Sequence, residues 1–355
     1  MTLIAGFHSF GIPTLIGDLM ITRSRETVSY RKKILLISDN FAVAWTGHLF
    51  AAGSVIRSLQ SSLSSNNITL ESVREVLTHP ETYNLGSGEV RLIGWVIDAR
   101  GEHCFLWNSL YPIELYLEAS HCDGSGELTA LALVGTKGLS RNSPTDPNKP
   151  DEDRRGALAV TTQLMAYEFW GPSTRPWGFG FAYEILQLVN DTHFKYLDNT
   201  LYIPLACELD EHGHYISTTF GASQTKYKAH GNYSFFYVHN PISKTHDIYG
   251  VPPPGPGPVE SDEVDGVVED LRQRIRNDTL SFPYESDYYC VSLRLRSPVF
   301  ETSRAFMVMS KHEAAHYFGL NLNIVDNGIN LQINGEWVEW FYETVRHDVT
   351  YGPSS

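Results

Sequence analysis

Three side chains near the start of this 355-residue chain have the types and the order that chemistry requires: Thr2, Asp18 and Lys33. Thr2 follows the initiator methionine, and aminopeptidases that remove methionine act when the next residue is small. Removal would leave one residue carrying both a hydroxyl nucleophile and a free α-amine. Such an amine ordinarily titrates at about pH 8, so much of it is neutral near physiological pH and can serve as general base. A buried lysine ammonium beside the hydroxyl would lower the pKa of that amine and stabilise a developing oxyanion. The aspartate would compensate the lysine.

These residues need rigid elements to carry them. Two apolar runs, Thr2–Phe7 and Pro13–Ile21, flank a Ser-Phe-Gly-Ile turn and read as a β-hairpin. A second pair, Lys33–Ser38 and Phe41–Thr46, is joined by Asp39-Asn40, which favours a tight turn. A chain end is normally frayed and polar; here it is expected to be a core strand. Apolar spacing predicts helices over His48–Ser62 and from Thr69, with Thr69 as N-cap. Strands follow at Val90–Asp98, Cys104–Asn108 and Thr129–Val134. Helices are expected at Arg154–Phe169 and Phe181–Asn190, and strands at Leu201–Asp210 and His214–Thr219. Strands, two helices, strands, two helices and strands make an α-β-β-α sandwich.

Thr2, Asp18, Thr22, Lys33-Ile34 and the AVAWTG of Ala42–Gly47 resemble the proteasome β-subunit and its bacterial relatives, which are N-terminal-nucleophile (Ntn) hydrolases. The likeness covers about residues 1–230. It implies a four-layer α-β-β-α Ntn sandwich of the α+β class, and it implies that the Gly47 N–H binds the oxyanion. The Lys33-to-Gly47 step matches the family, while Asp18-to-Lys33 is about one residue short. Leu19-Met20 stands where the family has a Ser-Arg or Arg-Arg pair. A Gly-Ser-Gly turn in the family brings a hydroxyl near the nucleophile, and Thr136 in Gly135-Thr136-Lys137-Gly138 is assigned that place. No clean Asp-x-x-Ser-Gly follows; Asp191 or Ser173 would have to stand in. The candidate catalytic set is therefore Thr2, Asp18, Lys33, Gly47 and Thr136, with no cofactor and no metal.

Composition bounds the partners. The formal charge of −14 disfavours nucleic acid and anionic membrane. No apolar run reaches the length of a membrane span, and the N-terminus lacks a signal-peptide pattern. Cys104, Cys122, Cys207 and Cys290 are scattered without a CxxC and read as buried thiols of a cytoplasmic protein. A peptide or other amide substrate and a homo-oligomer are what the resemblance implies.

The composition shifts at residues 249–266, where VPPPGPGPVESDEVDG reads as a Pro/Gly/acidic linker. That divides the chain into an Ntn-like domain at 1–248, the linker, and a small α+β domain at 267–355. In the alternative, Tyr288–Tyr342 adds strands to the sandwich. The last part carries an amphipathic helix at Val267–Arg276 and strands at Tyr288–Arg296 and Arg304–Ser310. A meander of Leu320–Val325, Ile329–Ile333 and Glu336–Tyr342 follows, turned at Asn327-Gly328 and Asn334-Gly335. His312-Glu313-Ala314-Ala315-His316 is an HExxH, the pattern that sets two zinc-binding imidazoles and a general base on one helix. A third ligand would have to come from Glu336, Glu339 or Glu343.

Three readings follow: a proteasome-like threonine peptidase, a catalytically inactive Ntn-fold homologue serving as a binding or assembly module, and a zinc hydrolase.

Overall fold

The computed structural model describes residues 2–23, 26–63, 68–136, 150–170, 178–189, 193–221, 224–230, 233–240, 242–255, 259–277, 285–298, 300–317, 323–325, 328–330, 335–336, 338–339 and 343. The chain is mixed α+β and is built on three main sheets. In the first, five antiparallel strands run in the order His121–Gly124, Leu3–Ser9, Ile12–Asp18, Tyr183–Val189, His193–Tyr196. The second is an antiparallel meander of Ile34–Ser38, Phe41–Gly47, Val90–Asp98, Gly101–Asn108 and Leu115–Leu117. The hairpin at the chain start turns through Phe10 and Gly11, both at positive φ (51° and 84°), as a two-residue connection needs.

The amino-terminal strand is buried on both faces, and the alternation of its side chains divides two cores. Ile4 points with Leu15 and Leu186 into the layer shared with Ile34, Ala42, Ile93 and Trp95 of the second sheet. Leu3, Ala5 and Phe7 turn the other way, onto Ala157, Leu158 and Met165 of the helix Pro150–Trp170. The far face of the second sheet, through Val43, Trp45 and Leu92, is covered by the helices Leu49–Ser62 and Leu70–Thr78. Thr69 caps the second of these, exchanging hydrogen bonds with Ser72.

Several expectations need correction. Residues 129–134 are helical, within Glu127–Thr136, because a Leu/Ala-rich run satisfies helix and buried strand alike and its acidic first residue favours a helix start. Residues 183–189 form a strand, not a helix. Tyr183–Val189 pairs on both edges and is buried on both faces, so it lacks the alternation that marks a half-exposed strand. The strands Thr200–Leu209 and Tyr215–Phe220, expected in the sandwich, lie in a third, seven-stranded sheet. Thr245–Val251, Tyr233–Asn240 and Gln224–His230 lead up to Thr200–Leu209 in that sheet, and Tyr288–Ser297 and Phe300–Ser310 continue it.

That sheet also corrects the linker and the separate C-terminal domain. Thr200–Leu209 pairs in parallel with Tyr288–Ser297 over nine residues, so segments assigned to two domains share one hydrogen-bonded sheet. The helix Pro150–Trp170 packs on both the first and the third sheet. Residue 251 ends a strand, and 259–266 begin the helix Val259–Arg276, whose opening acids suit the positive end of a helix dipole. Pro252 and Pro254 are buried: Lys32 N–H donates to the Pro252 carbonyl at 2.9 Å, and the Pro254 carbonyl passes close to Gly53 of the first helix. Beyond residue 310, Asn323–Val325 pairs with Gly328–Asn330 as expected. Residues 336, 338 and 339 are helical where a strand was expected, and residue 335 is helical where a turn was expected.

Candidate active site

The first two strands bring Thr2 and Asp18 together. They run antiparallel from a tight turn, so the start of one faces the end of the other, with Ile4 opposite Gly17. Thr2 Oγ1 donates to Asp18 Oδ1, which also accepts the Leu3 amide at 3.0 Å. Gly180, in the segment after the long helix, donates its amide to Asp18 Oδ2 at 3.1 Å. Asp18 is fully buried and Thr2 is 2% exposed. Burial pushes the Asp18 carboxyl up to about 6, against the nearby Lys33 charge and these hydrogen bonds.

Lys33 opens the second sheet beside them. Its side chain is buried, with Nζ 4.1 Å from the centre of the Trp45 ring. Burial pushes its ammonium down to about 8, and the charge of Asp18 holds it up. The two act on one another through their fields, while the atom touching the threonine hydroxyl is a carboxylate oxygen. Gly17 makes room for this: a Cβ there would stand 3.0 Å from Lys33 Cβ.

Gly47 ends its strand at φ +102°, where a Cβ would meet the Glu89 carbonyl at 2.3 Å, so only glycine fits. The preceding Thr46 donates to Asp123 Oδ2 at 2.7 Å, and Arg91 Nη1 donates to Asp123 Oδ1 at 2.8 Å. Asp123 lies opposite Ile4 in the first sheet, so this cluster ties the strand of Gly47 to the strand of Thr2.

Thr136 is the last residue of the helix Glu127–Thr136, and its side chain, to which that place was assigned, lies outside the described residues. Among the described residues, Ser125 brings a hydroxyl to the main chain of Thr2. Ser125 Oγ and the Gly126 amide both donate to the Thr2 carbonyl, each at 3.3 Å. Gly124-Ser125-Gly126 is itself a Gly-Ser-Gly, and it precedes Gly135-Thr136-Lys137-Gly138 in the same stretch of sequence. Gly124 sits at φ +99°, and a Cβ there would fall 2.0 Å from the Thr2 carbonyl oxygen. Gly124→Ala is therefore expected to cost more than about 1 kcal/mol and to displace Thr2 without removing a reactive group. A thermal melt together with the chemical shift of the Leu3 amide checks both. Ser173 and Asp191, named as stand-ins, lie outside the described residues.

The HExxH forms a helix, Lys311–Tyr317, but Glu313 is committed elsewhere. Its Oε2 accepts from the Ser310 amide and hydroxyl, each at 2.9 Å, and pairs with Arg155 at 2.7 Å. Those partners hold its carboxyl below the ordinary glutamate value, although burial opposes them. Glu339 Oε1 accepts the Tyr215 amide. The His316 side chain lies outside the described residues. Among the described residues no helix is long and apolar enough to cross a membrane.

No family model matches the chain, and no curated protein matches it.

Proposed function

We propose that the chain is an amide-bond hydrolase of the Ntn type, a proteasome-like threonine peptidase whose nucleophile is Thr2 once Met1 has been removed. The reading takes the two stacked sheets and their flanking helices as the four-layer α-β-β-α Ntn sandwich, with the seven-stranded sheet added to it. One observation carries it: the Thr2 hydroxyl is hydrogen-bonded to the buried Asp18 carboxylate, with the Lys33 ammonium in the same field.

Thr2 Oγ attacks the substrate carbonyl carbon, and its proton passes to the α-amine of Thr2, directly or through water. The Gly47 N–H receives the oxyanion. Collapse breaks the C–N bond, the leaving amine takes the proton from the α-ammonium, and an acyl ester remains on Thr2. Water activated by the same amine hydrolyses that ester. Asp18 orients the hydroxyl, Lys33 keeps the amine neutral by its positive charge, and Ser125 with Gly126 fixes the main chain of Thr2.

The near-complete burial of Thr2 favours one competing reading, an inactive homologue that keeps Met1 and serves as a binding or assembly module. Intact mass separates the two. Loss of one methionine, with turnover of peptide amides and an acyl adduct mapped to Thr2, is the expected result. Retained Met1 with no turnover would overturn the peptidase reading. A cytoplasmic setting and a homo-oligomer belong to the same proposal.

A further inference from the structure

Lys32 and Lys33 immediately precede the strand Ile34–Ser38 and lie outside it. Even so, the backbone polar groups from Lys32 to Ile34 are all taken. Lys32 N–H donates to the Pro252 carbonyl at 2.9 Å, and the Lys32 carbonyl accepts Trp45 Nε1 at 2.9 Å. The Lys33 carbonyl accepts the Trp45 amide at 3.1 Å, and the Ile34 carbonyl accepts the Tyr196 hydroxyl at 2.8 Å. The two remaining amides, of Lys33 and Ile34, both donate to Glu184 Oε2 at 3.3 Å. A carboxylate thus stands where a neighbouring strand's carbonyls would be.

Glu184 is fully buried and lies opposite Gly17, one residue from the pairing of Tyr183 with Asp18. Its second oxygen accepts from Ser234 Oγ at 2.7 Å and Tyr227 OH at 3.2 Å, and stands 3.6 Å from Lys32 Nζ. Lys32 in turn donates to Ser234 Oγ at 3.1 Å and lies over the Tyr196 ring. Four hydrogen-bond donors and the Lys32 ammonium converge on this carboxyl, more than a neutral amide could satisfy with its single oxygen. An ion pair sealed this far inside contributes little net stability compared with apolar residues of the same size, which leaves its placement to be explained.

We propose that Glu184 is a positioning residue for Lys33: its carboxylate clamps the Lys33–Ile34 backbone in place of a strand and, balanced by Lys32, sets the charge environment of the Lys33 ammonium beside Asp18. The role in catalysis rests on the Thr2 reading; the clamp itself does not. The charged groups facing Lys33 are Asp18 and Glu184 from the first sheet and Arg31 from its own segment, with the Trp45 ring from the second sheet. Losing Glu184 removes one of the two anions that keep Lys33 protonated.

The experiment is NMR titration of the lysine side chains of the full chain labelled with ¹³C-lysine, the Lys33 signal being assigned by its absence in Lys33→Met. In Glu184→Gln the Lys33 midpoint is expected to fall by about one pH unit, with faster hydrogen exchange at the Lys33 and Ile34 amides. Lys32→Met, which keeps the carboxylate, should not lower it. If Glu184→Gln fails to fold, the paired variant Lys32→Met/Glu184→Gln leaves no unbalanced buried charge, and the same fall is expected there. An unmoved Lys33 midpoint in a folded variant overturns the proposal. Lys33 titrates whether or not the protein hydrolyses anything, so an inactive protein with a shifted Lys33 would sink the peptidase reading alone.

Discussion

Replacing Thr2 with alanine in protein that has lost Met1 is expected, on the proposed mechanism, to reduce amide hydrolysis by at least about a thousandfold, since that mechanism's nucleophile and acyl ester both disappear. The fold should survive. The substitution removes one buried hydrogen bond, worth about 1–2 kcal/mol, and leaves Asp18 its bonds from the Leu3 and Gly180 amides. Asp18 loses a donor that stabilises its ionised form, so its carboxyl should move further up from about 6. Thr2→Ser is the companion variant, because serine keeps the hydroxyl and the α-amine. Peptide-amide turnover and a thermal melt are measured on the same samples. Wild-type turnover by Thr2→Ala would end the threonine mechanism.

Lys33→Met is expected to abolish turnover and also to destabilise. It removes the cation that balances Asp18 in a site closed to water, and breaking such a pair costs about 3–5 kcal/mol. Adding Asp18→Asn should return most of the stability and none of the activity, which separates electrostatic balance from catalysis. The pH dependence follows from the same burial. The folded Asp18 is raised from 3.8 to about 6, so its stabilising contribution is full below 3.8 and is lost as pH rises through about 6. The folded Lys33 is lowered from 10.5 to about 8, so its contribution is present above 10.5 and is lost as pH falls through about 8. Between about pH 6 and 8 both groups are charged and buried at full cost. The stability of the double variant relative to wild type should therefore peak in that window and shrink on either side. Melts at acid, neutral and alkaline pH check this; a flat difference would show that the pair titrates as though exposed.

The amino-terminal hairpin, the Thr2–Asp18 approach, Lys33 at a strand entry and Gly47 at a strand end are legible in the sequence. Each is a local matter: alternating apolar residues set the strands, Phe10-Gly11 sets the register, and register sets which residue faces which. The hydroxyl beside Thr2 is legible as well, since Gly124-Ser125-Gly126 stands in the chain. Nothing local distinguishes it from Gly135-Thr136-Lys137-Gly138, because a glycine's need for positive φ becomes visible only when the Thr2 carbonyl lies against it.

Other features are settled by tertiary structure alone. Local composition makes the proline-rich segment at 251–258 and the acidic residues after it look like a spacer. In the fold Pro252 accepts a hydrogen bond from the Lys32 amide, and the acids open a helix. Glu184 looks like one more strand glutamate, and its role arises from donors on Lys33, Ile34, Tyr227 and Ser234, as far as 151 residues away, and from the Lys32 ammonium. The same holds for the parallel pairing of Thr200–Leu209 with Tyr288–Ser297, which joins regions that composition divides. Periodicity reports which face of an element is apolar; it carries no information about which distant element covers that face or which buried charge meets which. Those choices are made by packing, where a carboxylate without donors or a strand without a partner would cost several kcal/mol.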